Sequence, residues 1–269
     1  MQEAAVQERQ YLTANQVIRG VLGYLNEDKV EQAAKLYTHC QEDVGYMLLN
    51  KMPADRAIQM KLAKMFFMSR DFEKSALVLE NMGEHKKAAE LYERTDQYDQ
   101  AAEMWAKADD MERSARMYEK AGRWQTAAEL YISLENYEKA AYAFEKSVNN
   151  FLAGKYYFQV RKFQKSMELL QKVASDEEQY LEAAVMIGNI LAMHGRLDMA
   201  VAKYKAVTKS VPLSKGSLSI YCNLARLLEK RGDLAESLNV YKQVAQTDPG
   251  FSQVSSKISE IEKKLAEAG

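Results

Sequence analysis

A 13-residue period runs through residues 70–173 of this chain and constrains its fold more than any other feature. In every copy the sixth residue is alanine or serine, and in most copies the seventh is alanine and the tenth is aromatic. The copies begin at Arg70, Gly83, Asp96, Asp109, Gly122, Glu135, Val148 and Arg161. Positions three, six, seven and ten are spaced as i, i+3, i+4 and i+7, which is one apolar stripe on a helix. The period therefore predicts helices of about ten residues joined by turns of about three.

The composition of the stripe predicts how these helices pack. A helix of this length is unstable alone in water, so each one must bury its stripe against its neighbours. Alanine at positions six and seven lets two helix axes approach closely, and the aromatic residue at position ten fills the space over the neighbouring turn. The remaining positions are mostly Lys, Glu, Gln, Asp and Arg, and we expect them to face solvent. We predict a stack of short antiparallel helices, whose aromatic residues form the core and not a ligand cage.

The residue that opens each copy lies in a predicted turn. Gly83 and Gly122 can adopt the positive φ of a helix C-cap. Asp96 and Asp109 carry carboxylates, and we expect these to cap the helix that follows.

Changes of spacing outside this period divide the chain. We predict an N-terminal helix in 1–27, an array of short helices in 28–173, an acidic connector in 174–181, two longer helical repeats in 182–251 and a capping helix in 252–269. The longer repeats restart after 37 residues, because residues 211–217 lengthen the turn between them. The last segment is amphipathic, which is typical of a helix that seals the end of a stacked array.

Charge, hydropathy and cysteine content limit the partners and the compartment. The chain has 37 basic and 38 acidic residues for a net charge of −1, which argues against a nucleic-acid partner. No run approaches the roughly 18 apolar residues of a membrane span, and the first residues lack a signal-peptide pattern. We therefore predict no membrane insertion. Cys40 and Cys222 both lie in apolar-periodic stretches, so we expect buried free thiols and a cytoplasmic protein.

The chain lacks the residue spacings of known catalytic and metal sites. Its three histidines, His39, His85 and His194, belong to different helices. No CxxC or HExxH spacing, phosphate-binding glycine loop or GxSxG elbow occurs. We therefore predict no metal, no cofactor and no enzymatic activity, and we expect the helical surface to carry the function.

The two longer repeats resemble tetratricopeptide repeats. The matching residues in 181–214 are Ile187, Gly188, Leu191, Gly195, Ala200, Tyr204 and Pro212. Those in 218–251 are Tyr221, Leu224, Ala225, Leu228, Gly232, Tyr241 and Pro249. Ala184, Ser237 and Val244 depart from the family pattern. More loosely, the 13-residue units are similar to the compact hairpins of the soluble NSF-attachment proteins and of transport-coat solenoids.

The resemblance implies an all-α fold, namely a right-handed α-solenoid of short antiparallel helix hairpins with terminal capping helices. It also implies a concave face on which the first helix of each pair holds a peptide or a partner protein. On this basis we expect a non-catalytic scaffold or adaptor.

Candidate binding residues also follow from the resemblance. Some family members hold a peptide carboxylate with Lys, Asn, Asn, Lys and Arg side chains, and the residues here at those places are Val185, Asn189, Asn223, Gln253 and Lys257. One alternative is therefore a carboxylate clamp that lacks both lysines. The other is an ordinary polar groove formed by Asn189, Asn223, Arg226 and Lys257, whose amides can hydrogen-bond a peptide backbone.

Two further classes of function stay open at this point. The chain is alternatively a structural or oligomerisation arm of a larger protein or trafficking complex, with self-association through the terminal helices 3–25 and 252–266. The third class is an enzyme whose chemistry leaves no recognisable motif.

Overall fold

The computed structural model describes residues 12–40 and 43–268, and every regular element within those ranges is a helix. The predicted all-α fold is confirmed. The helices are α1 (Ala14–Asn26), α2 (Val30–Thr38), α3 (Gly45–Asn50), α4 (Arg56–Met68), α5 (Phe72–Asn81), α6 (His85–Arg94), α7 (Tyr98–Lys107), α8 (Met111–Lys120), α9 (Trp124–Ser133), α10 (Tyr137–Lys146), α11 (Asn150–Gln159), α12 (Phe163–Leu170), α13 (Tyr180–Met193), α14 (Leu197–Ser210), α15 (Leu218–Arg231), α16 (Leu234–Thr247) and α17 (Val254–Ala268), with a 3-10 turn at Phe251–Gln253.

The first and last predicted segments extend to residues that are not described. Residues 3–11 of the predicted N-terminal helix lie outside the described residues, and α1 accounts for the part that is described. Throughout the described part of the chain, no helix combines the length and the apolar character that crossing a bilayer requires.

Two compact units divide the chain, Met1–Leu134 and Glu135–Gly269. Within each unit most consecutive helices pack against one another as hairpins. The exception is the six-residue α3, which packs on α5 and leaves α2 directly against α4. The division into five segments by repeat spacing stays a prediction.

The predicted helix length and turn length are confirmed in the array. Each helix from α5 to α11 has ten residues and begins at the third position of its copy. The helix α12 begins at the same position, at Phe163, but has eight residues.

A residue in the left-handed region ends each helix of the array. The first residue of every copy has a φ between 55° and 76°. In most copies the next residue donates its N–H to the carbonyl of the tenth residue of the preceding copy, as Glu84 N does to Leu79 O at 2.9 Å and Asp110 N to Trp105 O at 2.9 Å. This six-to-one bond belongs to the Schellman motif, which satisfies a carbonyl that the end of a helix leaves unpaired.

The roles expected for Asp96 and Asp109 were wrong. Both residues have positive φ, 57° and 62°, so they close the preceding helix and do not cap the next one. The N-cap is the residue that follows, and the carboxylate of Asp110 accepts from the Arg113 N–H at 3.0 Å. Aspartate tolerates the left-handed region better than most residues, which explains why it occurs at these two turns.

Alanine seams bring neighbouring helices together, and serine replaces alanine at some sixth positions. Most of these serine hydroxyls bond a carbonyl, but among the described residues the buried Ser114 hydroxyl has no hydrogen-bond partner. The residues at positions six and seven are fully buried in every helix from α6 to α10. They are alanine pairs except in α8, where Ser114 precedes Ala115. Three sixth-position serines, two in the array and one in the second longer repeat, donate to a carbonyl of the preceding helix. These bonds join Ser75 to Ala63 at 2.9 Å, Ser166 to Gly154 at 2.7 Å and Ser237 to Ala225 at 2.8 Å.

A second contact between neighbouring helices involves the aromatic residue at position ten. Its polar atom donates to a glutamate at position eleven of the preceding copy. The pairs are Tyr92 with Glu80 at 2.9 Å, Trp105 with Glu93 at 2.5 Å and Tyr157 with Glu145 at 2.9 Å. Burial and the carboxylate of Glu80 both raise the pKa of Tyr92. The expectation that this position simply faces solvent was wrong, because these glutamates are half-buried acceptors.

Val148 is the residue least suited to the left-handed turn. Its φ is 61°, which strains a residue with a branched Cβ. The residue is 76% exposed, so burial of its side chain offsets little of that strain. We expect Val148→Asn to raise the free energy of unfolding by about 1 kcal/mol, since asparagine adopts this conformation readily. Urea denaturation measures the change. The matched control is Gly122→Val, which should lower that free energy by about 1–2 kcal/mol through the backbone alone, because a Cβ there meets no atom within 4 Å. A neutral Gly122→Val would contradict the strain explanation.

The alanine seam gives a second stability prediction. Ala128 is fully buried, whereas its neighbour Glu129 is exposed. We expect Ala128→Leu to lower the free energy of unfolding by about 1–3 kcal/mol through overpacking. Glu129→Gln should stay within about 0.5 kcal/mol. Thermal or urea denaturation of both variants makes the comparison, and equal effects would mean that the helical register is misassigned.

Candidate peptide-binding face

The four predicted binding residues lie on three helices of the second unit. Asn189 is on α13, Asn223 and Arg226 are on α15, and Lys257 is on α17. Asn189, Asn223 and Lys257 are half-buried, and Arg226 is exposed. We call these four residues the polar face.

The hydroxyl of Tyr204 joins the two asparagines. Tyr204 on α14 donates to Asn189 Oδ1 at 2.6 Å, and Asn223 Nδ2 donates to the Tyr204 hydroxyl at 3.5 Å. The tyrosine is fully buried, and burial raises its pKa, so it stays protonated at neutral pH. The structure therefore brings Asn189 and Asn223 to one fixed hydrogen-bonding group. Sequence reasoning treated Tyr204 only as a packing residue of the family pattern.

Gly188 allows this arrangement. A Cβ at Gly188 would lie 2.7 Å from the Tyr204 ring, so a larger residue would push the ring away from α13. The small residue thus determines where the hydroxyl reaches the neighbouring Asn189. This requirement for a close approach explains the glycine within α13.

Tyr241 occupies the equivalent place 37 residues later but has a different environment. Its side chain is 1% exposed, and among the described residues its hydroxyl has no hydrogen-bond partner. Burial raises its pKa most, and the charge of Glu229 adds to this, while Arg226 and Lys257 act in the opposite direction. One tyrosine hydroxyl in this unit is therefore satisfied by two amides, and its counterpart lies between charged groups without a bond.

Lys257 belongs to a cluster of four charges. Its ammonium lies 3.0 Å from Glu260 and 3.4 Å from Glu229, and Lys264 contacts the same carboxylates at 2.6 and 3.2 Å. Lys264 and Lys257 together hold the pKa of Glu260 at about 2, so the carboxylate is ionised at neutral pH. Across the described residues, no hydrogen bond joins Lys257 to the asparagine pair. The two cations and two anions balance each other.

Sequence reasoning also missed a buried lysine in the first unit. Lys74 is 8% exposed, with its ammonium 3.0 Å from Asp71, 3.6 Å from Asp43 and 4.6 Å from the centre of the Tyr46 ring. Burial lowers the pKa of Lys74, but Asp71 and Asp43 outweigh it and the net shift is upward. This cluster ties the α3 segment to α5 and is a structural contact, since every charge in it has a partner.

Comparison with known proteins supports the fold and the repeat type. A tetratricopeptide repeat model matches residues 218–251, which are the predicted bounds of the second longer repeat. Another tetratricopeptide repeat model matches residues 111–146 within the 13-residue array. No curated protein matches this chain.

Solved structures with similar folds include a chain of the Naa15/Naa10 assembly bound to HypK-THB. The match has 12% identity and a TM-score of 0.57, and it covers 93% of this chain but 39% of that one, so this chain spans about two fifths of that protein. MamA is 18% identical with a TM-score of 0.42, covering 62% of this chain and 96% of MamA. YrrB, a tetratricopeptide-repeat protein with an unusual peptide-binding site, is 18% identical with a TM-score of 0.42, covering 79% and 96%. The first likeness shows the fold alone.

The two equivalent tyrosines provide a matched test of the polar face. Tyr204→Phe removes the donor to Asn189, so we expect the free energy of unfolding to fall by about 1 kcal/mol. Tyr241→Phe removes a hydroxyl without a hydrogen-bond partner among the described residues, so it should be neutral or stabilising. Urea denaturation of both variants against the wild type measures the difference. A loss of stability from Tyr241→Phe equal to that from Tyr204→Phe would contradict this description.

Proposed function

We propose that this chain, a tetratricopeptide-repeat protein, is a non-catalytic cytoplasmic scaffold whose polar face holds a peptide segment or a partner protein. The observation that carries the proposal is the pair of amides on Tyr204, at Asn189 and Asn223, which share one buried hydroxyl. The free thiols of Cys40 and Cys222 support the cytoplasmic location.

The amides retain hydrogen-bonding capacity for a peptide. Tyr204 occupies the Oδ1 atom of Asn189, so the NH₂ group of that side chain still offers two donors. Asn223 gives one long bond to Tyr204 and keeps its carbonyl oxygen as an acceptor. A donor on α13 and an acceptor on α15 match the alternating carbonyl and N–H groups of an extended peptide backbone.

The charges favour an ordinary polar groove over a carboxylate clamp. The side chains at the two lysine places of a clamp are Val185 and Gln253, and neither carries a charge. Lys257 is already neutralised by Glu229 and Glu260. A peptide carboxylate would have to displace one of those two glutamates from Lys257. The displaced glutamate would lose its partner, which is unfavourable for a partly buried charge. Backbone recognition by the amides requires no such exchange.

The alternative role is a structural arm within a larger assembly. The observation in its favour is that a similar fold forms part of a chain of the Naa15/Naa10 assembly. That chain is more than twice as long as this one. Self-association through the terminal helices would then appear as a mass that rises with protein concentration. Light scattering over a concentration series distinguishes this role from a monomeric scaffold.

A pull-down with a double variant tests the scaffold proposal. The wild-type chain on beads should retain specific proteins from a native lysate, and Asn189→Ala/Asn223→Ala should lose them by about ten-fold, since both backbone contacts are removed. The matched control is Asn81→Ala/Asn239→Ala, which changes two exposed asparagines elsewhere and should retain the same proteins. Far-UV circular dichroism checks that both variants are folded. Equal capture by the folded test variant and the wild type would contradict the role of the polar face.

A further inference from the structure

A groove opens between α12 and α13 where the alanine seam ends. Position seven is alanine in six successive copies and glycine at Gly154, but in the last copy it is Met167. A methionine side chain at the seam holds two helices further apart than alanine does, and α12 packs on α13 less closely than other consecutive helices of the second unit pack on each other. The gap beside Met167 has a volume of about 400 Å³ and is lined by Gln164, Met167, Ile190, Leu191, His194 and Arg196.

A second depression extends this groove along the start of α12. It has a volume of about 420 Å³ and is lined by residues 161–165 and by His194, and both Gln164 and His194 line the two depressions. The Phe163 ring lies edge-on to the His194 ring at 5.7 Å between centroids. We call the two depressions together the Met167 groove. None of the four residues of the polar face lines it, so it is a separate surface.

The Met167 groove has an apolar floor. Ile190 and Leu191 are 2% and 6% exposed and form the floor with Met167. Two exposed methionines are close in sequence to lining residues: Met193, next to His194, is 61% exposed, and Met199, three residues after Arg196, is 54% exposed. Exposed large apolar side chains are typical of interaction surfaces, and methionine adapts to varied partners.

The uncompensated charge at the rim is positive. Arg161 and Arg196 both line the groove and are exposed, and in the described part of the chain neither has a carboxylate partner. The neighbouring cations are neutralised, as Lys162 lies 2.5 Å from Glu138 and Lys165 lies 2.8 Å from Glu145. Asp198, which is close to Arg196 in sequence, pairs with Arg231.

We infer that the Met167 groove docks an acidic amphipathic helix of a partner protein. Bulky apolar side chains on one face of that helix enter the groove beside Met167, and glutamate or aspartate on its flanks faces Arg161 and Arg196. A helix laid between two helices suits the groove, because apolar side chains at i, i+3, i+4 and i+7 form one narrow stripe. The two unpaired arginines select an acidic partner over a basic one.

Fluorescence anisotropy with a defined probe tests this inference. The probe is a fluorescein-labelled synthetic peptide with leucine at i, i+3, i+4 and i+7 and glutamate on the flanking positions, and its twin has lysine in place of glutamate. We expect the acidic peptide to bind the wild-type chain with a Kd of about 10–100 µM and at least about ten-fold more tightly than the basic twin. Absence of binding by the acidic peptide, or equal binding of both peptides, would overturn the inference.

Charge-reversal variants assign the binding to the groove. Arg161→Glu/Arg196→Glu should weaken the acidic peptide by about ten-fold and reduce its salt dependence. The matched control is Arg70→Glu, because Arg70 is an exposed first-position arginine with a φ of 62°, as Arg161 has 60°. This control should bind as the wild type does, and an equal loss from Arg70→Glu would overturn the assignment.

A variant of the seam tests the apolar part. Met167→Ala restores the small residue of the other copies, so it should narrow the groove and weaken the acidic peptide while leaving the helical content unchanged. Unaltered binding by Met167→Ala would count against the groove. If the chain instead forms dimers that Arg161→Glu/Arg196→Glu dissociates in sedimentation runs, the occupant is a second copy and the inference is wrong.

Discussion

The left-handed residue at the end of each short helix is the constraint on which the array depends. The first residue of each copy has positive φ, and in most copies the next N–H bonds the carbonyl of the tenth residue of the preceding copy; a new helix begins one residue later. The helix length is thereby limited to ten residues. A helix of that length is stable only against its neighbours, so the apolar stripe must recur with every turn. The alanine seams, the serine hydrogen bonds and the aromatic residues therefore occur at fixed positions of the same 13-residue period.

The polar contacts within each unit specify which helical register is adopted. Alanine at the seam permits a close approach but is compatible with a shift along the axis. The bond from Trp105 to Glu93 is not, because a shift of one helical turn would leave a buried N–H without its acceptor. The same reasoning applies to Ser75 and the Ala63 carbonyl. Packing therefore provides most of the burial, and a few buried hydrogen bonds provide the uniqueness.

Most of the array follows from the sequence because its period reports burial directly. The helix bounds from α5 to α11 agree with the predicted ten-residue units, since the apolar stripe and the helix are the same object. Asp96 was misassigned because aspartate serves both as an N-cap and as a left-handed residue, and composition cannot separate the two. Glu80 and Lys74 were missed for another reason. A charged residue type predicts solvent exposure. Only the packed structure shows that Glu80 accepts a bond from Tyr92 and that Lys74 pairs with Asp71. The bridging role of Tyr204 likewise depends on an approach over Gly188 that no single-helix pattern contains.

Departures from the repeat carry more information about binding than the repeat does. A copy that matches the repeat at every position buries its whole apolar stripe and exposes only hydrated polar side chains. A partner that bound there would have to displace that water. Tyr204 and Tyr241 hold equivalent places, yet one hydroxyl is satisfied by amides and the other lies among charges, so the two repeats present different chemistry on one scaffold. Met167 departs further, because a side chain too large for the seam replaces helix contact with a groove. Packing between α12 and α13 is reduced at that one place. The neighbouring copies keep their alanine seams, and their packing stabilises the array as a whole.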